Sequence, residues 1–207
     1  NAANALGTGT VTVGLRGQLI NDNATGLNSL AGITLNGVNS TLKLNQPWNK
    51  STASLALSGG SPLVQIGNAA STIGDLSGSA GVIQGSGSSS SLTVNQTTEG
   101  VYTGEIGTNL TFIKSGSAPL KLAGIIDPSL KLTLAQGTLS FGNLPVTAAS
   151  LNQTGGTLSI DLATPLTLTG NLTRSAGTIL VNLPASPPAI ETPYVLVVYQ
   201  GTRSGQP

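Results

Sequence analysis

The chain has 207 residues, eight Lys and Arg against seven Asp and Glu, a formal charge of +1, and only 7% charged and 3% aromatic side chains. It contains no Cys, His or Met, which excludes disulfides, thiolate or ordinary zinc sites, and any catalytic triad that needs an imidazole or a thiol. The basic residues are scattered apart from a loose set at Lys114, Lys121 and Lys131 with no aromatic among them; this argues against a nucleic-acid footprint and reads as the outer face of a sheet.

Apolar residues make up 38% and mean hydropathy is +0.21, so the chain has enough Leu, Ile and Val to fold despite its low charge. The missing Met marks a processed product or an excised piece, and no apolar run approaches the roughly 20 residues that span a bilayer, so no membrane insertion is expected. From the N-terminus, alternating apolar and polar residues predict strands over 10–13, 18–20, 33–35 and 41–44, punctuated by Gly, Asn and Asp. The segment 46–50 interrupts this rhythm, holds the single Trp48, and reads as a longer turn leaning on the strands. Strands resume over 54–57, 63–66, 73–76, 81–83, 91–94, 101–106 and 110–113. The Gly/Ser run 85–91 reads as a turn between strands, so no domain boundary is placed there. No stretch has helical three-and-four spacing. Pro184, Pro187, Pro188 and Pro193 cannot sit inside a central strand, so 184–207 is expected to be a Pro-rich loop followed by a terminal strand or cap of a single domain, 1–207.

From Gly116 to Leu183 one phrase returns: Gly137-Thr138-Leu139-Ser140-Phe141, Gly156-Thr157-Leu158-Ser159-Ile160 and Gly177-Thr178-Ile179-Leu180-Val181, with a looser copy at Leu120-Lys121-Leu122. Steps of 19, 19 and 21 residues built on period-two alternation predict a β-solenoid, an all-β parallel β-helix with rungs of about 19–21 residues. Leu120, Leu139, Leu158 and Ile179 should then stack as one inward column and Leu122, Phe141, Ile160 and Val181 as the next. Lys121, Ser140, Ser159 and Leu180 should face outward. Leu130, Leu151 and Leu172, each 21 apart, predict a further inward column on another wall.

Several of these stretches resemble the autotransporter-associated β-strand repeat. Ile73-Gly74-Asp75-Leu76-Ser77-Gly78-Ser79-Ala80-Gly81, Ser91-Leu92-Thr93-Val94, Tyr102-Thr103-Gly104-Glu105-Ile106 and Leu110-Thr111-Phe112-Ile113-Lys114-Ser115-Gly116 follow that family's successive phrases. Leu6 to Val13 is similar to its opening phrase, and Tyr194 to Gly205 to its closing one. Ala118-Pro119 stands where the family usually has Gly-Thr. The resemblance implies a right-handed parallel β-helix of the kind found in bacterial surface and passenger proteins, extracellular and structural or adhesive, with no catalytic motif.

Catalysis would have to come from Asp22, Asp75, Glu99, Glu105, Asp127, Asp161 or Glu191 with Arg16, Arg174 or a Lys. A glycosidase needs two carboxyls about 5–10 Å apart; Glu99 and Glu105 are the nearest pair in sequence, and they read as turn acids on a solvated surface. Asp127-Pro128 reads as a turn. No acidic run matches a calcium loop, so neither a metal nor a cofactor is expected. Asn-x-Ser/Thr triplets at Asn23, Asn39, Asn49, Asn95, Asn109, Asn152 and Asn171 are expected by chance in this composition. The leading expectation is a non-enzymatic structural segment (stalk, fibre or adhesin spacer), possible self-association being end to end through open strand edges. The alternatives are a polysaccharide-processing β-helix and a glycan-binding one, the latter stacking sugars on Trp48, Tyr102, Tyr194 or Tyr199.

Overall fold

Apolar residues at every second position favour strands, and Gly, Asn or Pro recurs so often that no strand among the described residues exceeds five residues. A computed structural model describes residues 6–184 and 193–205; Pro187, Pro188 and Glu191 lie outside them. The described residues are all β, with no helix, wound into a solenoid whose successive coils pair in parallel.

Three walls run along it. The first is a nine-stranded sheet: Thr10–Val13, Gly32–Asn36, Ser54–Ser58, Leu76–Gly78, Gly100–Tyr102, Leu120–Leu122, Thr138–Phe141, Thr157–Asp161 and Thr178–Asn182. The second is split. Gln18–Asn21, Thr41–Leu44, Leu63–Ile66, Val82–Gly85 and Glu105–Ile106 form one sheet, and Val146–Ala148, Leu166–Leu168 and Val197–Tyr199 another. Between them only the bridge from Ile106 to Ile126 continues the ladder, beside Pro128 and Pro145, which have no N–H to donate. The third wall has eight strands, from Asn49–Lys50 through Ala70–Ile73, Ser91–Asn95, Thr111–Ser115, Lys131–Leu134, Ser150–Gln153 and Leu172–Arg174 to Arg203–Gly205. We call the corners first edge (first to second wall), second edge (second to third) and third edge (third back to first).

The repeating phrase explains the third edge. Gly116, Gly137, Gly156 and Gly177 take φ of 75°, 69°, 65° and 95°, a region that L side chains disfavour, so a glycine turns the chain ahead of each of the last four first-wall strands. Leu120 pairs with Leu139, Leu139 with Leu158 and Leu158 with Ile179, as the 19-, 19- and 21-residue steps require. The N-terminal coils are longer: Val11 pairs with Ile33 and Ile33 with Leu55, steps of 22 (11 to 33 to 55), with turn residues such as Gly59-Gly60 at their corners. Lys121, Ser140 and Leu180 face outward. Ser159 has outward parity but is only 7% exposed, because Asn182 Nδ2 donates to its Oγ at 2.9 Å and covers it.

Three sequence expectations need correction. Leu151 pairs with Leu172 as expected but with Leu132, not Leu130, on its other side, because the step between those two third-wall strands is 19 residues, from 132 to 151. Leu130 is buried at the second edge instead, where Ala149 N donates to its carbonyl. The stretches 73–76 and 101–106 are not single strands: Gly74-Asp75 and Thr103-Gly104 are edges that separate walls. The segment 46–50 is irregular up to the short strand Asn49–Lys50, and Trp48 lies in it just before that strand. Trp48 is fully buried and heads the inward third-wall column Ser71, Leu92, Phe112, Leu132, Leu151, Leu172, with the small Ser71 leaving room for the indole. Its Nε1 donates to Leu27 O at 3.1 Å. Leu27 and Leu30, buried in the turns that follow Asn21, close the third side of the first coil, where no strand lies.

Candidate functional site

The polar groups of greatest chemical interest lie inside the solenoid, along the third edge. Parity along Thr111–Ser115 places Phe112 and Lys114 inward, and both side chains are fully buried. Lys114 Nζ donates to Ser115 O at 2.7 Å, Gly116 O at 2.8 Å and Gln136 O at 3.1 Å, so one ammonium ties two successive coils together. Burial lowers its pKa from the usual 10.5 to about 8. Gln96 and Gln153 act in the same way one coil before and two coils after. Gln96 Oε1 accepts from Leu76 N at 3.0 Å and its Nε2 donates to Thr98 O at 2.9 Å. Gln153 Nε2 donates to Thr178 O at 3.0 Å, and Arg174 Nε donates to Gln153 Oε1 at 3.0 Å. No buried side-chain nitrogen or oxygen among the described residues lacks a partner.

Lys114 therefore does not belong with Lys121 and Lys131 on the sheet surface. Its inward position was obscured because Phe112 and Ile113 are adjacent apolar residues, which leaves the parity of the strand ambiguous. Fixing the parity from Leu92 in the preceding coil, with which Phe112 pairs, would have revealed it.

The described acids lie at edges or beside them. Asp75 accepts from the amides of Thr97 at 2.6 Å and Thr98 at 3.1 Å and from both hydroxyls. Partial burial works against its ionisation, but these hydrogen bonds outweigh it and hold its pKa below the usual carboxylate range. Asp127 Oδ1 accepts from Ser129 N and Oγ, at 2.8 and 2.6 Å, closing the turn around Pro128. Asp161 accepts from Asn182 Nδ2 at 2.9 Å, and Asp22 from Asn45 Nδ2. Glu99 and Glu105 flank the first-wall strand Gly100–Tyr102, Glu99 just before it and Glu105 at the start of the second-wall strand that follows.

Three surface depressions accompany these groups. One of about 380 Å³ at the first edge is lined by Glu105 with Ser61, Ala80, Gly104, Gly124 and their neighbours. One of about 290 Å³ includes Asp161, and one of about 180 Å³ includes Lys131. Each is lined by one titratable side chain, so in none of the three do two carboxyls converge. No group of three or more metal-binding side chains is present among the described residues.

For sugar stacking, two of the four expected aromatics are withdrawn. Trp48 and Tyr102 are fully buried, and the Tyr102 hydroxyl donates to Gly81 O at 3.0 Å. Tyr194 and Tyr199 are exposed on the last coil. No protein-family model, curated protein or solved structure matches this chain.

Proposed function

We propose that this chain is a structural segment of a bacterial surface or secreted protein, a stalk, fibre or spacer, whose work is to hold its own shape outside the cell. The observation that carries the reading is where the polar side chains act: Gln96, Lys114, Gln153 and Asp75 all bond the backbone of a neighbouring coil. The likeness of its phrases to the autotransporter-associated repeat supports an extracellular setting. A nearly uncharged Thr/Ser/Asn exterior is consistent with a surface that has to resist its surroundings, since backbone ladders carry the lateral contacts.

The reading is tested by pulling the 207-residue chain from its two ends and by incubating it with acidic and neutral polysaccharides. A spacer extends by stepwise release of coils and releases no sugar. Formation of unsaturated or reducing ends, lost in Glu105→Gln, would replace it with the polysaccharide-processing alternative. Protease shaving of intact source cells tests the location: a protein protected from protease until lysis would overturn the surface assignment.

A further inference from the structure

The described acids fall into two groups. Asp22, Asp75, Asp127 and Asp161 each accept hydrogen bonds from their own turn or from a neighbouring coil. The carboxylates of Glu99 and Glu105 accept none among the described residues. Glu99 is exposed, so water satisfies it, whereas Glu105 is partly buried. A carboxylate drawn partly out of water with no protein donor stands apart in a molecule whose fully buried polar side chains all have partners.

The surroundings of Glu105 are apolar. On the outer face of the second wall it lies between Val82, with which it pairs, and Ile125 one coil further on, neighbouring Cα atoms being about 4.8 Å apart. Together with Leu144 these side chains line the depression of about 380 Å³ at the first edge. Its floor is bare because coils stack closely there: a Cβ on Gly104 would strike Gly81 O, and one on Gly124 would strike Gly104 O. No Lys, Arg or aromatic ring lines the depression, so Glu105 is its only charge.

We infer that this depression receives a primary alkylammonium, the side chain of a lysine presented by a partner polypeptide. Its ammonium meets the Glu105 carboxylate while its four-carbon stem lies along Val82, Ile125 and Leu144, as lysine stems do on apolar surfaces. The apolar walls strengthen the charge-assisted hydrogen bond relative to open water. Ile125 and Leu144, each more than half exposed in the free chain, lose contact with water when the stem covers them. One carboxylate matches one cation, so a free diamine would leave its second charge against an apolar wall. An arginine gains less, because its planar guanidinium has no ring here to stack on. The inference stands whether or not the chain is a spacer, since it needs only an accessible first edge.

Amide chemical shifts of the isotope-labelled full chain, titrated with N-acetyl-lysine N-methylamide, test it. The signals of Gly81, Gly104, Gly124 and Ile125 should move and saturate with a Kd of roughly 1–10 mM, the range open to so small a ligand. Glu105→Gln should weaken binding about three- to fivefold and Ile125→Ser about twofold, with the rest of the spectrum unchanged because both side chains face outward. Glu99→Gln on the neighbouring solvated acid should leave the Kd unchanged. The norleucine analogue, which has the stem without the charge, and ammonium chloride, which has the charge without the stem, should give no saturable shift in the same range. An absence of saturation with the lysine probe, or equal weakening by Glu99→Gln, would overturn the inference. Equal shifts from ammonium chloride would reduce the site to a bare counter-ion contact. Tighter binding of putrescine than of the lysine probe would replace the polypeptide partner with a free polyamine and overturn the assignment.

Discussion

Lys114 meets three backbone carbonyls in a site closed to solvent, and these replace only part of the hydration its ammonium would have in water. Lys114→Met keeps the bulk and removes the donors, leaving the carbonyls of Ser115, Gly116 and Gln136 without them. Urea unfolding should show a loss of about 2–4 kcal/mol, whereas Lys121→Met on the exposed face should stay within about 0.5 kcal/mol. The same group couples stability to pH. Below pH 8 it is charged in folded and unfolded chains alike. Between about 8 and 10.5 the unfolded chain keeps a proton that the folded chain has released, so stability rises with pH across that window. Tyr102 acts in the opposite sense: burial, with help from the charge of Glu105, raises its pKa above the ordinary 10. Above pH 10 the unfolded chain therefore loses a proton that the folded chain retains, and stability falls. Denaturation series from pH 7 to 11 should peak near pH 10, with Lys114→Met flattening the rising limb and Tyr102→Phe the falling one. A profile unchanged by Lys114→Met would show that the buried ammonium is not what titrates.

At the scale of the strand, parity decides which substitutions the fold tolerates. Leu158 is fully buried between Leu139 and Ile179, so Leu158→Asp places an unpaired carboxylate inside the first wall. A cost above about 4 kcal/mol, enough to unfold the neighbouring coils, is expected in thermal melts. Ser140→Asp on the outer face should change stability by about 0.5 kcal/mol or less. Ser159 is the less safe choice, because Asn182 covers it. Parity is also what made the first wall legible in the sequence: Gly-Thr-Leu-Ser returns with its glycine at the corner and its Leu inside, and a slip of one residue would reverse the faces. The third wall was misread because Leu130, Leu132 and Leu134 sit at alternate positions, and a slip of two residues leaves the inward face apolar. Hydrophobic pattern cannot choose between those registers; the 19-residue length of the coil does. The edges at Gly74-Asp75 and Thr103-Gly104 were hidden because apolar residues continue on both sides of each turn. The buried polar seam was hardest to read, since Gln96, Lys114 and Gln153 look like surface residues until the next coil's carbonyls are in place above them.

A solenoid is held by contacts between neighbouring coils, so its stability is close to a sum along one dimension, and it is weakest where a coil has a neighbour on one side only. The two ends of this molecule are not equivalent. At the N-terminal end Leu27 and Leu30 close the third side of the first coil, and Trp48 locks that closure by donating to Leu27 O from a fully buried position. In the last coil the inward Ile179, Val181 and Val197 are only partly buried, and Val195 and Tyr199 are exposed. Its second- and third-wall steps are also 31 residues long, from Leu166 to Val197 and from Leu172 to Arg203. Denaturant should therefore release coils from the C-terminal end first. Trp48 is the single Trp of the chain and reports only on the opposite end. In a urea titration the far-UV circular dichroism of the parallel sheets should begin to fall at a lower concentration than the Trp48 fluorescence shifts. Amides of Val197–Tyr199 and Arg203–Gly205 should exchange with deuterium before those of Gly32–Asn36. Leu180→Asn and Val198→Thr, both on exposed positions, should leave that order unchanged. Trp48→Phe, lacking the donor to Leu27 and the fluorescence probe, should narrow the difference in amide exchange between the two ends by weakening the N-terminal one. If dichroism and fluorescence trace one transition at every probe, the coils unfold as a single cooperative unit and the difference between the ends has no energetic consequence.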